Sequence, residues 1–448
     1  MSDLEARIAD AVRDGDIPGA AIAYLAGGEI TEAAAGVLNR DTGLAVTTDS
    51  LFQIGSVTKL WTATLAHQLV DEGLLDLDTP VRAYLPDLRL ADEDAAAALT
   101  PRDLLRHTTG FAGDVFDDLG RGDDAVGRLV AALAGATSIA GRGELFSYCN
   151  SGYVVLGHLI ATLRGMPWEA ALRKHLIEPL GLGPVALFAE EAILRRTAAG
   201  HLIREGGQEV TPVWQLPRSL APAGSSLCTT PRVLLEFARL FLEGGRPGIL
   251  SPAAAGRGWE RQVPVPGVAG RGVQHWGLGW MLFDWGGTMA AGHDGNTPGQ
   301  TAFFRVVPEA GFAIAAVVNG GNAFRVFDGL LLPLISELTG IEIPAGVAPP
   351  ADPRPVSPEP YAGEYVDTLV THHVTPEGGG LLVTTVPGET AQAFGMTGTS
   401  ARYVHLAGNT FVQAEAVDGK YSTATFVMPD GGPASHMHSG LRAVPRAR

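Results

Sequence analysis

Apolar residues at Leu4, Ile8 and Val12 recur at helical spacing and predict an opening helix over residues 1–15. GAAIAYLAGGEITEAAAGVLN then changes period and predicts two short strands around a glycine turn. From Val57 to about Leu75 apolar positions surround the helix axis rather than forming one stripe, which predicts a long buried helix. Mixed helices and loops follow to about residue 275. Over 279–320, GWMLFDWGG, TMAAGHDG and TAFFRVVPEAGFAIAAVVNGG predict antiparallel strands with glycine and proline turns, and FDGLLLPLISELTG predicts a helix after them.

The pattern breaks between Pro344 and Pro360, where seven prolines predict a stiff, unpacked linker. Beyond it GGLLVTTVPG, NTFVQAEAVDG and STATFVMPDGG alternate with period two between glycine turns, the mark of a small antiparallel barrel or sandwich. The chain is therefore expected to form an α+β body over 1–343, a linker over 344–360 and an all-β module over 361–448. Its 448 residues suit more than one domain.

Composition narrows the partners. The net charge is −16 and the estimated pI 5.2, with no basic stripe to meet nucleic-acid phosphates or an anionic membrane. Two cysteines, Cys149 and Cys228, are too few for a disulfide framework or a structural zinc site. No apolar run reaches the roughly 18 residues of a membrane span, and the charged start lacks a secretory pattern, so a cytoplasmic location is expected. Lysine usage changes the picture most. Of 32 basic residues only Lys59, Lys174 and Lys420 are lysine, and Lys59 falls in the apolar helix three residues after Ser56.

A serine hydroxyl is a weak nucleophile until a base takes its proton. Lysine in a dry site can be neutral and do so; arginine cannot. Ser56 and Lys59 would share one helix face, with Ser56 near the positive end of the dipole. Ser-x-x-Lys by itself is common, and Ser56 also reads as an N-cap with a snorkelling lysine. In FSYCNSGY, Tyr148 and Asn150 place a phenol and an amide just before an apolar helix, suited to proton transfer and orientation, although Asn150 also reads as a helix cap. In GHDGNTPGQ, read as lying between two strands, Gly295 would let a substrate approach a strand edge. The N–H of Asn296 would pair with that of Ser56 as an oxyanion hole, or the segment is a plain Asp-Gly-Asn turn.

In this order the three motifs resemble the serine β-lactamase and penicillin-binding-protein superfamily. The match is to its class C-like branch, where the second motif is Tyr-x-Asn and the third is Lys-Thr-Gly or His-x-Gly. LFQIGSVTK, LLRHTTGF, LGHLI and AGSSLCTTPRVLLEFARLFL share the resemblance, which covers roughly residues 5–340. The linker and β-module resemble members with a C-terminal lipocalin-like domain. The resemblance implies an α+β fold, an antiparallel sheet flanked by helices, with Ser56 as acylated nucleophile and Lys59 and Tyr148 as general bases and acids. It further implies that Asn150 orients substrate, that His293 lines the site, and that the N–H groups of Ser56 and Asn296 hold the oxyanion. It implies no metal and no other cofactor. The alternative Gly-x-Ser-x-Gly apparatus is absent from the sequence.

Other residues read as ordinary. His372, His373, His436 and His438 are expected on the module's surface or lining its barrel, and the acidic stretch 113–126 as a solvated loop. Arg442 and Arg446 would bind a substrate carboxylate or carbonyl if the β-module leans over the site, and are surface charges otherwise. Third-motif histidine in place of lysine disfavours an anionic group beside the scissile bond and favours an ester or thioester. Together with the expected location and the lipocalin-like tail, this resembles the penicillin-binding-protein-type thioesterases of nonribosomal peptide synthesis. Those enzymes take a peptidyl chain, typically with a D-configured C-terminal residue, from a carrier-protein thioester and release a head-to-tail macrolactam. The acidic surface does not help dock an acidic carrier unless Arg121 or Arg128 forms a local patch. The alternative is a hydrolase on the same scaffold: an esterase, or an amidase or peptidase for D-amino acids.

Overall fold

Alternation along the first strand sends side chains to opposite faces of one sheet. In β1 (Gly19–Ala26), Ala21, Ala23 and Leu25 enter one core while Ala20 and Ile22 enter another. β1 and β2 (Glu29–Gly36) form the expected hairpin, with Ala26 opposite Glu29. The sheet continues with β3 (Val263–Pro264), β4 (His275–Trp276), β5 (Met281–Trp285), β6 (Thr288–Thr297), β7 (Gln300–Val307) and β8 (Phe312–Val318). All eight strands pair antiparallel in the order β2-β1-β8-β7-β6-β5-β4-β3. The computed structural model describes residues 3–447 other than 205, 268, 269, 394 and 418. Residues 1 and 2 of the expected opening helix thus lie outside the described residues, and α1 runs Asp3–Asp14.

A sheet apolar on both faces needs a cover on each. Leu4 and Ile8 of α1, with Leu332, Leu334 and Ile335 of the C-terminal helix Leu332–Thr339, close one side. The other side is a larger helical layer containing α2 (Thr58–Asp71), α3 (Asn150–Arg164) and α4 (Pro231–Leu242). All of α2 from Thr58 to Leu69 is buried, and Trp61 stacks on Phe237 of α4 at 5.0 Å. The helix stops before the expected Leu75. Gly73 adopts φ +70°, and the N–H groups of Leu74 and Leu75 turn back to the Leu69 carbonyl at 2.9 and 3.1 Å.

Residues 341–358 carry no helix or strand. The β-module contains β9 (Gly363–Val366), β10 (Val370–Glu377), β11 (Gly380–Pro387), β12 (Thr399–Ala407), β13 (Thr410–Gln413), β14 (Thr423–Val427), β15 (His436–Ser439) and β16 (Arg442–Pro445), paired antiparallel in sequence order. The sheet curls until its ends meet: Tyr365 bridges Arg446, and Ala447 N donates to Glu364 O at 2.7 Å. Closure covers edges that an open sheet would leave unpaired. Tyr365, Phe411, Phe426 and Met437 fill the interior, as expected for a lipocalin-like barrel.

Candidate active site

Strand Phe52–Gln53 leads into a single 3-10 turn, Gly55–Val57, and α2 begins at Thr58. Ser56 therefore sits in the turn that feeds the helix, and no side chain caps that turn. Gly55 holds φ +51°, and a Cβ there would stand 2.6 Å from Asn296 N. A Cβ on Gly295 would collide with the Ile54 carbonyl and stand 3.0 Å from Ser56 N. Two glycines thus let β6 lie against the Ser56 turn, with the N–H groups of Ser56 and Asn296 on facing segments. His293–Asn296 lie within β6, not in a turn between strands, because Gly295 and Asn296 continue the register opposite Ala302 and Thr301. Gly295→Ala is expected to push the strand from Ser56 and lower acylation by about a hundredfold. Acylation rates beside a thermal melt check this; an unchanged rate would disconnect the contact from catalysis.

Lys59 is fully buried. Its Nζ lies 2.9 Å from Ser56 Oγ and donates to the Ala223 carbonyl at 2.6 Å. Burial pushes its pKa well below the usual lysine range; Asp114 opposes this and Arg442 adds to it. One N–H committed to Ala223 leaves a neutral amine its lone pair for the Ser56 proton.

Tyr148 supplies the next wall, with Lys59 Nζ 4.9 Å from its ring centre. Its hydroxyl faces Ser56 but completes no hydrogen bond of good geometry among the described residues. Burial raises its pKa, while the contact with Ser56 and the charge of Arg442 pull the other way. His107, held at φ +59°, packs against the Tyr148 ring at 4.4 Å and accepts from Cys149 N at 3.0 Å. α3 starts at Asn150, but its cap is Cys149, whose sulfur accepts from Gly152 N at 3.2 Å. The Asn150 side chain is thereby free of capping, and its Nδ2 donates to Asp114 Oδ1 at 2.6 Å.

The other partner of Asp114 is Arg442, from the β-module. Arg442 Nε and Nη2 grip the two oxygens of the Asp114 carboxylate, Nη2 at 3.0 Å, and the guanidinium lies 5.4 Å from the Tyr148 ring centre. Arg442 is therefore not a free surface charge. Around it the β15–β16 turn is stitched to the body: Tyr148 N donates to Leu441 O at 2.9 Å and Ala443 N to Ser147 Oγ at 3.1 Å. His436 Nε2 adds a bond to Ile139 O at 2.7 Å. A cleft of about 240 Å³ opens at this seam between Asp114, Tyr148, Asp367 and Arg442; Ser56 is not among its walls. Ser56 is itself partly exposed.

His293 donates through Nδ1 to the Asp294 carbonyl at 2.6 Å, so Nε2 is left as a buried acceptor that meets no donor among the described residues. Burial and the nearby Lys59 hold its pKa down to about 3, so it offers no cation at neutral pH. Asp294 pairs with buried Arg305 at 2.6 Å.

The structure thus brings Ser56, Lys59, Tyr148, Asn150, His293, Gly295, Asn296 and Arg442 to one locality. Arg446 is elsewhere: it bonds to the carbonyls of Pro360 and Ala362 and closes the barrel. Asp114 and His107 were not singled out by sequence pattern, and His436, expected on the module's surface or lining its barrel, instead bonds to the body. Asp114 corrects the expectation of a wholly solvated acidic loop, since it is buried and paired on both oxygens. No local signature marks it; its partners lie 36 and 328 residues away. His372 and His438 are buried in the barrel, His373 pairs with Glu364 at 3.3 Å, and the described residues contain no cluster of three possible metal ligands. Cys149 and Cys228 are both buried and free. Among the described residues no helix is long and apolar enough to cross a membrane.

Comparison with known proteins finds relatives of the body and of the whole chain. Penicillin-binding protein 4 of Amycolatopsis lactamdurans is 43% identical over 363 residues, covering 80% of this chain and 95% of that protein. The crystal structure of SurE matches with a TM-score of 0.80 at 28% identity over 99% of this chain and 98% of that one, and SurE with D-Leu matches with 0.77 at 27% over the same shares. D-amino acid amidase from Ochrobactrum anthropi SV3, complexed with L-phenylalanine, superposes on 75% of this chain and 97% of its own, with a TM-score of 0.62 and 25% identity. The Beta-lactamase family model spans residues 4–332, from the first helix to the last helix of the body. With a serine and a dry lysine in hydrogen-bond reach at its centre, the chain belongs to the β-lactamase and penicillin-binding-protein-like family of serine hydrolases.

Proposed function

We propose that the protein is a cytoplasmic serine acyltransferase of the penicillin-binding-protein-type thioesterase class, releasing a carrier-bound peptide as a head-to-tail macrolactam. Ser56 Oγ attacks the thioester carbonyl as its proton passes to Lys59, and the N–H groups of Ser56 and Asn296 hold the oxyanion. The thiol leaves with a proton returned through Tyr148 or Lys59. The peptide's N-terminal amine then attacks the acyl-serine, gives up one proton to the same pair, and Ser56 Oγ leaves reprotonated. No metal or other cofactor enters these steps. Neutral His293 suits a substrate without an anion beside the scissile bond.

The observation that carries cyclisation over hydrolysis is the seating of the β15–β16 turn on Tyr148. It places apolar and charged cover beside the site, and an amine competes with water only where water is held off. Likeness to SurE along the whole chain, β-module included, and to SurE with D-Leu supports a D-configured acyl residue. Arg442, its guanidinium 5.4 Å from the Tyr148 ring centre, would meet a substrate carbonyl if the peptide enters the cleft that it lines. A carrier protein would find Arg128 already paired with Asp124 at 2.7 Å, leaving exposed Arg121 as the cation of that loop. The partly exposed Ser56 and the likeness to the D-amino acid amidase favour the second reading, hydrolysis on the same acyl-enzyme.

Linear peptidyl thioesters ending in an L or a D residue decide between them, with products read by mass spectrometry. Macrocycle from the D-ended substrate is the expected result. Linear acid across the whole panel would establish the hydrolase instead.

A further inference from the structure

Asp114 is a carboxylate that joins the Tyr-x-Asn motif to the β-module. It is buried, it accepts from Asn150 at 2.6 Å, and its two oxygens are gripped by Arg442. The same short region fixes Tyr148 from both domains, since Tyr148 N bonds to Leu441 O next to Arg442. Thr368 of the β-module adds a contact to the Asp114 carbonyl at 3.4 Å. A bidentate arginine–carboxylate pair has a fixed geometry, so it transmits the position of one backbone to the other.

We propose that Asp114 is a positioning residue for acyl transfer, clamping Asn150 and Arg442 so that the Tyr-x-Asn motif is set for reaction only when the β15–β16 turn is seated. The proposal rests on the acyltransferase reading of the site and adds a condition to it: the β-module is part of the catalytic state. Asp114 touches no reacting atom; it acts through Asn150 and Arg442.

The groups facing Lys59 make this testable by pH. They are Asp114, Arg442, Cys149, His107, His293, Tyr148 and Tyr153. Burial keeps both histidines unprotonated, and keeps Cys149, up at about 11, and the two tyrosines protonated. All five are neutral near pH 7, so Asp114 and Arg442 are the charges that set the lysine. Asp114 favours its protonated form and Arg442 its neutral form. Removing the carboxylate lowers the lysine pKa and moves the acid limb of kcat/KM to lower pH. Removing the guanidinium raises it and moves the limb to higher pH.

The experiment measures acylation of Ser56 by a simple chromogenic ester across pH in the full-length wild type, Asp114→Asn, Arg442→Met and the double variant. Hydrogen exchange over residues 146–152 is measured alongside. The expected result is a loss of about ten- to a hundredfold in each single variant, opposite limb shifts, faster exchange in both, and a double variant little worse than either single. Limbs that stay put or move together, or single losses that simply multiply, would overturn the clamp while leaving the acyltransferase standing. Wild-type protein that takes up no acyl group would overturn both.

Discussion

Ser56→Ala is expected to remove acyl uptake altogether and to lower turnover by roughly 10⁵–10⁶-fold, the scale on which a covalent nucleophile matters. The loss should be nearly pure chemistry. Ser56 is partly exposed, caps no helix, and its Oγ is engaged by Lys59, so truncation leaves a small polar gap rather than a collapsed core. Intact-protein mass spectrometry after mixing with a thioester reads the adduct, and a thermal melt within a few degrees of wild type shows that the fold survives. An adduct that persists in Ser56→Ala would place the nucleophile elsewhere.

Lys59→Arg should be nearly as damaging, with acylation falling by about 10³–10⁴-fold although a positive charge is kept. The substitution separates two roles that a change to alanine would mix. If Lys59 served only to supply a cation to Ser56, arginine would serve too. As a base it must shed its proton, and guanidinium does not. The wild-type rate should rise with pH through the lowered pKa of Lys59 and flatten below the usual lysine range, because burial disfavours the ammonium form. In Lys59→Arg no such rise should appear. Near-normal acylation in this variant would transfer the base role to Tyr148, whose hydroxyl also faces Ser56.

Much of this was legible in the sequence because it is local. Ser56 and Lys59 are three residues apart on adjoining turns of helix, and the scarcity of lysine pointed to the pair. The antiparallel strands were legible in apolar runs such as FAIAAVV, whose side chains fill both cores. The end of α2 was misplaced because Leu74 and Leu75 extend the apolar pattern past Gly73, and periodicity does not see a backbone that reverses. Composition leaves GHDGNTPGQ between two strands, with a plain turn as the alternative, whereas pairing to β7 carries the strand through Thr297. Asp114 escaped for a different reason. A single aspartate in an acidic loop has no pattern of its own, and its meaning comes from Asn150 and Arg442, which the fold alone brings to it. The seating of the β-module is likewise a property of its surface against the body, and alternation within strands carries no record of it.

The burial of Lys59 has one further chemical consequence. An amine with a lowered pKa is itself a good target for activated acyl groups, and in open water it would be amidated irreversibly by the kind of donor that Ser56 takes up. Here the nitrogen is walled in by Tyr148 and Tyr153 and tied to Ala223, with Ser56 Oγ as its neighbour on the remaining side. The fold thus gives the base access to a proton while denying it access to a carbonyl, so the group that drives each turnover is shielded from being consumed by it.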